Sequence, residues 1–289
     1  MTNYRRECTI VKRIKSYNRG RLSPLGKVYA VFISLLILFP FYWIVISSFK
    51  TSDTITGSDL WPVSSTLENY VKLLSTPTFL NGVKTSVIVA IGSMVITLVI
   101  VILASYGLYR FEFRGKKLVS NMIVLAYAFP GILLIVPVYN IMAHIRLTDT
   151  YFSMICMNVT FAAPFCVWLM NGFFAAIPKA LDEAASLDGL TKMQILFRIH
   201  LPLLRPGIMT VVIYSLISSW TEFTFASILV SSDTKRSLTI ALKAITSSYT
   251  IQWGQITAAA TLAMMPIIIL FALIGKYFIG GMTSGSVKE

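Results

Sequence analysis

The chain has 289 residues, with 25 Lys and Arg against 12 Asp and Glu and a formal net charge of +13. Hydrophobic residues make up 56% and charged residues only 13%, and the mean hydropathy is +0.74; these values exclude an ordinary soluble globular domain and point to a bilayer. The basic residues sit in short segments between long apolar runs, so the positive charge reads as membrane topology and no nucleic-acid partner is expected.

Residues 1–27 carry eight Lys and Arg between Arg5 and Lys27 and read as a cytoplasmic juxtamembrane segment facing anionic lipid. The apolar run that follows is too long, and lacks the small-residue cleavage site, for a signal peptide. Six windows are long enough to cross a hydrocarbon core, which takes about 20 helical residues. They run from Val28 to Phe49, Thr85 to Tyr109, Leu118 to Ala143, Tyr151 to Ile177, Gly207 to Val230 and Ile256 to Gly275. Continuous apolar runs without ten-residue alternation favour helices over barrel strands. The expected class is therefore all-α integral membrane with six transmembrane helices and one membrane domain over 28–280.

Orientation follows from Lys and Arg. The odd-side segments (1–27, 110–117, 178–206 and 276–289) hold 18 of the 25 and the opposite loops hold 7, which places both termini in the cytoplasm. The outer loop from Lys50 to Lys84 reads as a small ordered cap. Arg110 to Lys117 is a short basic inside turn, and the short outer loop from His144 to Thr150 sets spans three and four as an antiparallel hairpin. Residues from Ser231 to Gln255 mix Leu238, Ile240, Leu242 and Ile245 with Lys235, Arg236 and Lys243, the pattern of a helix lying at the outer membrane surface. Pro130 and Pro137 in span three and Pro164 in span four free carbonyls and bend their helices. Cys8, Cys156 and Cys166 show neither a disulfide framework nor metal spacing.

The segment from 178 to 206 is too polar to be membrane and too ordered in pattern to be a linker. Pro178 suits the first position of a helix that continues through Leu187, with Ala180, Ala184 and Leu187 on one stripe. Gly189 can take the left-handed conformation that ends it. Thr191 and Gln194 then form a capping box for a second helix, with Ile195, Leu196 and Ile199 as its apolar face and Pro202 and Pro206 as its stop. The product is a helix-turn-helix knob on the inner face, with small Ala184 and Ala185 permitting close approach to a partner's groove.

Glu183-Ala184-Ala185, three residues, Gly189, nine residues, then Ile199-x-Leu201-Pro202 resembles the EAA loop of bacterial ABC-importer permeases at all seven specified positions. Pro164-Phe165 through Trp168, Asn171-Gly-Phe-Phe174 and Ile177-Pro178-Lys179 are similar to the approach to that loop in carbohydrate importers of the maltose-transporter type. Trp220-Thr221-Glu222-Phe223 is similar to their Trp-Asn-Glu-Phe segment, departing at Thr221. The Gly281 to Lys288 ending resembles that of the smaller permease subunit. The resemblance spans the whole chain. It implies the type I ABC importer permease fold in a bacterial cytoplasmic (inner) membrane, a heterodimer with a second permease subunit, an ATPase subunit dimer and an extracellular or periplasmic solute-binding protein. It also implies that Glu183, Ala184, Ala185, Asp188, Gly189, Ile199, Leu201 and Pro202 meet the ATPase, and that Gly281, Thr283, Ser284 and Gly285 of the tail (281–289) reach between the ATPase subunits.

No Gly-x-x-x-x-Gly-Lys-Ser/Thr loop occurs, so ATP and Mg are expected on the partner ATPase and no cofactor or metal on this chain, which is a transport subunit and not an enzyme. Glu222 is the one ionisable residue inside a window, about 15 residues or ~22 Å from the inner end of its span; it either lines the translocation cavity or makes a structural hydrogen bond near the outer gate. Tyr127, Asn158, Asn171 and Trp220 are further candidates to line a path for hydroxyl-rich ligands. A secondary transporter would carry several intramembrane carboxylates or histidines, and an intramembrane enzyme a paired catalytic constellation, with His144 and His200 expected in loops. The expected cargo is a carbohydrate, an oligosaccharide first; a glycerol-3-phosphate or glycerophosphodiester importer is the alternative, and such cargo would favour Lys or Arg in the pathway, where the spans hold none.

Overall fold

The computed structural model describes residues 23–246 and 252–284. Cys8, most of the basic N-terminal segment and Gly285 to Glu289 lie outside the described residues. Those that are described form helices joined by short loops, with only one isolated bridge between Lys50 and Ser65.

Helix α1 (Pro24–Ser47) starts on proline, where the missing N–H is no loss, and Ser23 caps it by accepting from Gly26. Its apolar side chains are exposed almost throughout, as a lipid-facing span requires. The chain then builds the expected outer cap, including α2 (Glu68–Leu74). Lys50 is fully buried there. Its ammonium donates to the carbonyls of Asp59 at 2.7 Å and Gly57 at 3.4 Å and lies over the Trp43 ring, so the charge is satisfied without a carboxylate.

Helix α3 (Pro77–Arg110) has 34 residues, roughly 50 Å, and so outruns the ~30 Å hydrocarbon. The window opening at Thr85 missed its first two turns, because Pro77 nucleates the helix above the membrane. Gly82, Ser86, Ala90, Ser93, Thr97, Val101 and Ser105 form a buried stripe of mostly small residues. Small side chains let helices approach closely, the usual device where lipid competes with every apolar contact. Against that stripe pack α6 (Tyr151–Ala175), which runs unbroken through Pro164, and α9 (Arg205–Trp220).

Span three is not one helix. Helix α4 (Lys116–Ala128) ends before Phe129-Pro130, and after a 3-10 turn over Gly131–Leu134 the chain resumes as α5 (Ile135–His144), bent by 91°. Proline restricts the residue before it to extended backbone, and Phe129 has ψ 129°. Among the described residues four helices can cross a membrane by length and composition, or six if each of two bent pairs is one span. The all-α membrane fold is therefore as expected.

Span five departs further. Helix α7 (Ala180–Leu187) and helix α8 (Lys192–Leu203) precede α9, and α8 meets α9 at 78°. Helix α9 stops at Trp220 instead of continuing to Val230. Its 16 residues cover only about 24 Å, and the chain breaks over Thr221 to Phe225 before the short α10 (Ala226–Leu229). Helix α11 (Leu238–Thr246) is two-faced, with Lys243, Ala244 and Thr246 exposed. Leu238 and Ala241 are buried, and the ideal Cβ position at Gly82 of α3 lies 3.0 Å from Ala241 Cβ, so a bare glycine surface receives it. Helix α12 (Trp253–Ser284) runs past Gly275, with Gly281, Thr283 and Ser284 in its last turns.

Candidate functional site

The segment from 178 to 206 folds into the expected helix-turn-helix knob. Helix α7 begins at Ala180, two residues after Pro178, whose carbonyl accepts from Leu181. It ends in a complete left-handed cap: Gly189 has φ +81°, its N–H donates to Ser186, and Leu190 N–H donates to Ala185. At the start of α8 the Thr191 hydroxyl accepts from Gln194 N–H and the Gln194 side chain accepts from Thr191 N–H, the reciprocal capping box. These bonds satisfy the backbone groups at both helix ends and leave the knob a single rigid shape.

Glu183, Ala184, Asp188 and Gly189 are exposed, whereas Ala185 is 4% exposed and faces inward. Leu187 stands 89% exposed at the turn, with Met193 and Phe197 more than half exposed nearby on α8. These exposed apolar side chains lie beside the two carboxylates of Glu183 and Asp188. Ile195 and Leu196 are buried and Ile199 and Leu201 half-buried, while Pro202 is exposed. Pro202 does not stop α8. It sits in a last turn that runs to Leu203, behind a widened π turn at Leu196–His200.

His200 is not a loop residue. It is fully buried, with Nε2 2.6 Å from Asp182 Oδ1, and Arg110 Nε approaches Asp182 Oδ2 at 3.0 Å. None of these three stood out in the sequence as a site residue. Their only trace was an arginine at the edge of an inside turn, a carboxylate beside Glu183 and a histidine in an otherwise apolar helix.

The pathway candidates separate. Asn158 of α6 and Glu222 meet in a cleft of about 240 Å³ lined also by Gly131, Phe161, Ser218 and Phe225. Both Glu222 oxygens are engaged: Oε1 accepts from Phe225 N–H at 2.7 Å and Oε2 from Ala226 N–H at 2.9 Å. Glu222 thus caps α10 and also lies on the cleft. The Asn158 side chain has no protein hydrogen-bond partner among the described residues although the residue is 8% exposed. Phe161 stacks on Phe225 with centroids 4.9 Å apart. The other candidates lie elsewhere. Trp220 Nε1 donates to Ala263 of α12, Tyr127 packs on Phe165 at an exposed face of α4, and the buried Asn171 Oδ1 lacks a hydrogen-bond donor. Among the described residues no cluster of His, Cys, Asp and Glu could hold a metal.

The sequence matches the model of the "Binding-protein-dependent transport system inner membrane component" family over residues 96–284. The chain belongs to this family. The permease is 33% identical to the inner membrane ABC transporter permease protein YcjP of Escherichia coli, over 94% of this chain and 99% of that one. It is 32% identical to the trehalose/maltose transport system permease protein MalG of Thermococcus litoralis, over 90% and 94%. One chain of a bacterial ABC transporter crystal structure, a protein involved in the import of the acidic polysaccharide alginate, has the same fold: TM-score 0.78 at 22% identity, covering 90% of this chain and 99% of that one. The permease is thus a multi-pass membrane transport subunit and not an enzyme.

Proposed function

We propose that this permease carries a carbohydrate, an oligosaccharide first, across the cytoplasmic (inner) membrane as half of a heterodimer, with both termini on the cytoplasmic side. An ATPase dimer drives it through the α7–α8 knob, ATP and Mg reside on that ATPase, and a solute-binding protein delivers cargo from outside. The observation that carries the reading is the knob itself. A loop with all seven EAA positions is capped at both helices and presents Leu187 at 89% exposure, on a chain without a phosphate-binding loop.

Glu183, Ala184, Asp188 and Gly189 form the polar and close-approach part of that docking surface, and Leu187, Met193 and Phe197 its apolar part. Ala185, Ile199 and Leu201 support it from behind, with Pro202 at the base. A rigid lever of this kind can transmit domain closure to a bistable bundle. The Asn158–Glu222 cleft supports a carbohydrate cargo, since a free amide beside an aromatic pair suits hydroxyl-rich rings, and the related permease named for trehalose and maltose points the same way. No Lys or Arg lines the cleft, which disfavours glycerol-3-phosphate.

Reconstitution with the second permease, the ATPase and the binding protein in proteoliposomes tests this. ATP-dependent uptake of labelled maltose or trehalose is expected, without uptake of glycerol 3-phosphate. Accumulation driven by a proton or sodium gradient in the absence of ATP would refute it.

A further inference from the structure

The knob is tied to α3 at one carboxylate. Asp182 directly precedes Glu183, yet its side chain turns away from the exposed docking face. Oδ2 lies 3.0 Å from Nε of Arg110, the last residue of α3, and Oδ1 lies 2.6 Å from Nε2 of His200 in α8. The Arg110 side chain is 5% exposed and that of His200 is fully buried. Helix α3 and the sequence-remote pair α7 and α8 therefore converge on a single carboxylate that is 24% exposed and flanked by two buried partners, where an ion pair is screened less than on the open surface.

Neighbouring contacts make the tie stiff. Tyr106 Oη, one turn before Arg110, donates to the Lys192 carbonyl at the start of α8 at 2.9 Å. Its ring meets the His200 ring edge-on at 5.5 Å and the Phe174 ring at 6.1 Å. Arg110 also donates to the Ile177 carbonyl at 3.4 Å, just ahead of α7, and Lys192 lies over the Phe111 ring. The approach of His200 Nε2 to a carboxylate at 2.6 Å makes that nitrogen the proton donor, and the buried Nδ1 has no hydrogen-bond partner. A lone polar atom in such a place is costly. The π turn that carries His200 is a further local irregularity, of a kind frequent at functional positions.

We infer that Asp182 and His200 are positioning residues, which with Arg110 form the joint that delivers displacement of the knob to α3. This rests on the reading of the knob as the ATPase's docking element. Helix α3 carries the buried stripe on which α6 and α9 pack, so it is the element through which a small cytoplasmic displacement reaches the whole bundle. A joint closed by hydrogen bonds and an ion pair passes that displacement on as rigid-body motion, while an apolar contact alone would let the loop slide.

The test uses the assembled complex of both permeases, ATPase and binding protein in proteoliposomes, and reads the ratio of ATP hydrolysis with binding protein to hydrolysis without it. Asp182→Asn keeps the shape and removes the charge. It is expected to retain wild-type ATPase co-purification while the stimulation ratio falls at least about fivefold. His200→Gln, whose amide can still donate to Asp182, is expected to keep most of the stimulation, and His200→Ala to lose it as Asp182→Asn does. That histidine pair carries the test if Asp182→Asn does not accumulate in the membrane. A wild-type ratio in both Asp182→Asn and His200→Ala, or equal loss in His200→Gln and His200→Ala, would overturn the joint. Wild-type ATPase co-purification and hydrolysis in Leu187→Asp would instead remove the docking reading beneath it.

Discussion

Two glycines, one in the knob and one in α9, illustrate opposite reasons for the same residue. At Gly189 an added Cβ would meet nothing within 4 Å, but the backbone stands at φ +81°. The cost of Gly189→Ala is then conformational, about 1–2 kcal/mol, and Gly189→Asn, whose side chain tolerates that region, should cost less. Thermal unfolding of the purified permease ranks the two. Gly189→Arg is expected to leave the complex inserted yet uncouple ATP hydrolysis from uptake, because the bulk lands on the docking face. At Gly207 the problem is space: the Cβ would lie 2.7 Å from the Phe173 ring. Gly207→Ala should lower the unfolding midpoint by forcing Phe173 aside, whereas Gly172→Ala, with nothing within 4 Å of its Cβ, should not.

At the scale of elements, the outer ends of spans four and five are held by one aspartate. Asp149, itself at φ 58°, accepts from the backbone N–H groups of Ser231 and Ser232, from the Ser232 hydroxyl and from Lys235, and its own N–H donates to Leu229. The Ser232 bonds, first among these, hold its carboxyl well below the usual carboxylate range. A depressed folded pKa stabilises above the unfolded value, about 3.9, and that contribution is lost as pH falls toward the folded value. The unfolding midpoint should therefore drop as pH is lowered through and below 4, and Asp149→Asn should show a lower midpoint at pH 7 with a shallower acid dependence. Equal acid dependence in both proteins would exclude the clasp. This element was not legible in the sequence, because its partners lie about 80 residues apart and neither loop carries a motif.

At the scale of the whole molecule, the proposed orientation rests on the Lys and Arg asymmetry between alternate loops, and that asymmetry sets a labelling experiment. In a cysteine-free background, Ser231→Cys should react with an impermeant thiol reagent in intact cells. Ser186→Cys, on the knob, should react only after permeabilisation. Labelling of Ser186→Cys from outside would invert the topology.

The sequence by itself determined what depends on local chemistry. Only helices and closed barrels satisfy backbone groups in lipid, and continuous apolar runs without alternation select the helix, so the membrane class followed directly. The knob's caps were equally readable, since Gly189, Thr191 and Gln194 act on residues within a few positions of themselves. Breaks were harder. Pro130 marked a bend without giving its size, and nothing around Thr221 announced that α9 would end, because hydropathy averages over a window and Glu222 alone barely lowers it. Only the tertiary structure decided that Glu222 caps α10, that Trp220 turns to α12, that α11 packs its Ala241 face on Gly82, and that Arg110 and His200 converge on Asp182. Those outcomes depend on side chains separated by tens of residues along the chain, and the energy that pairs them exists only once the helices have packed.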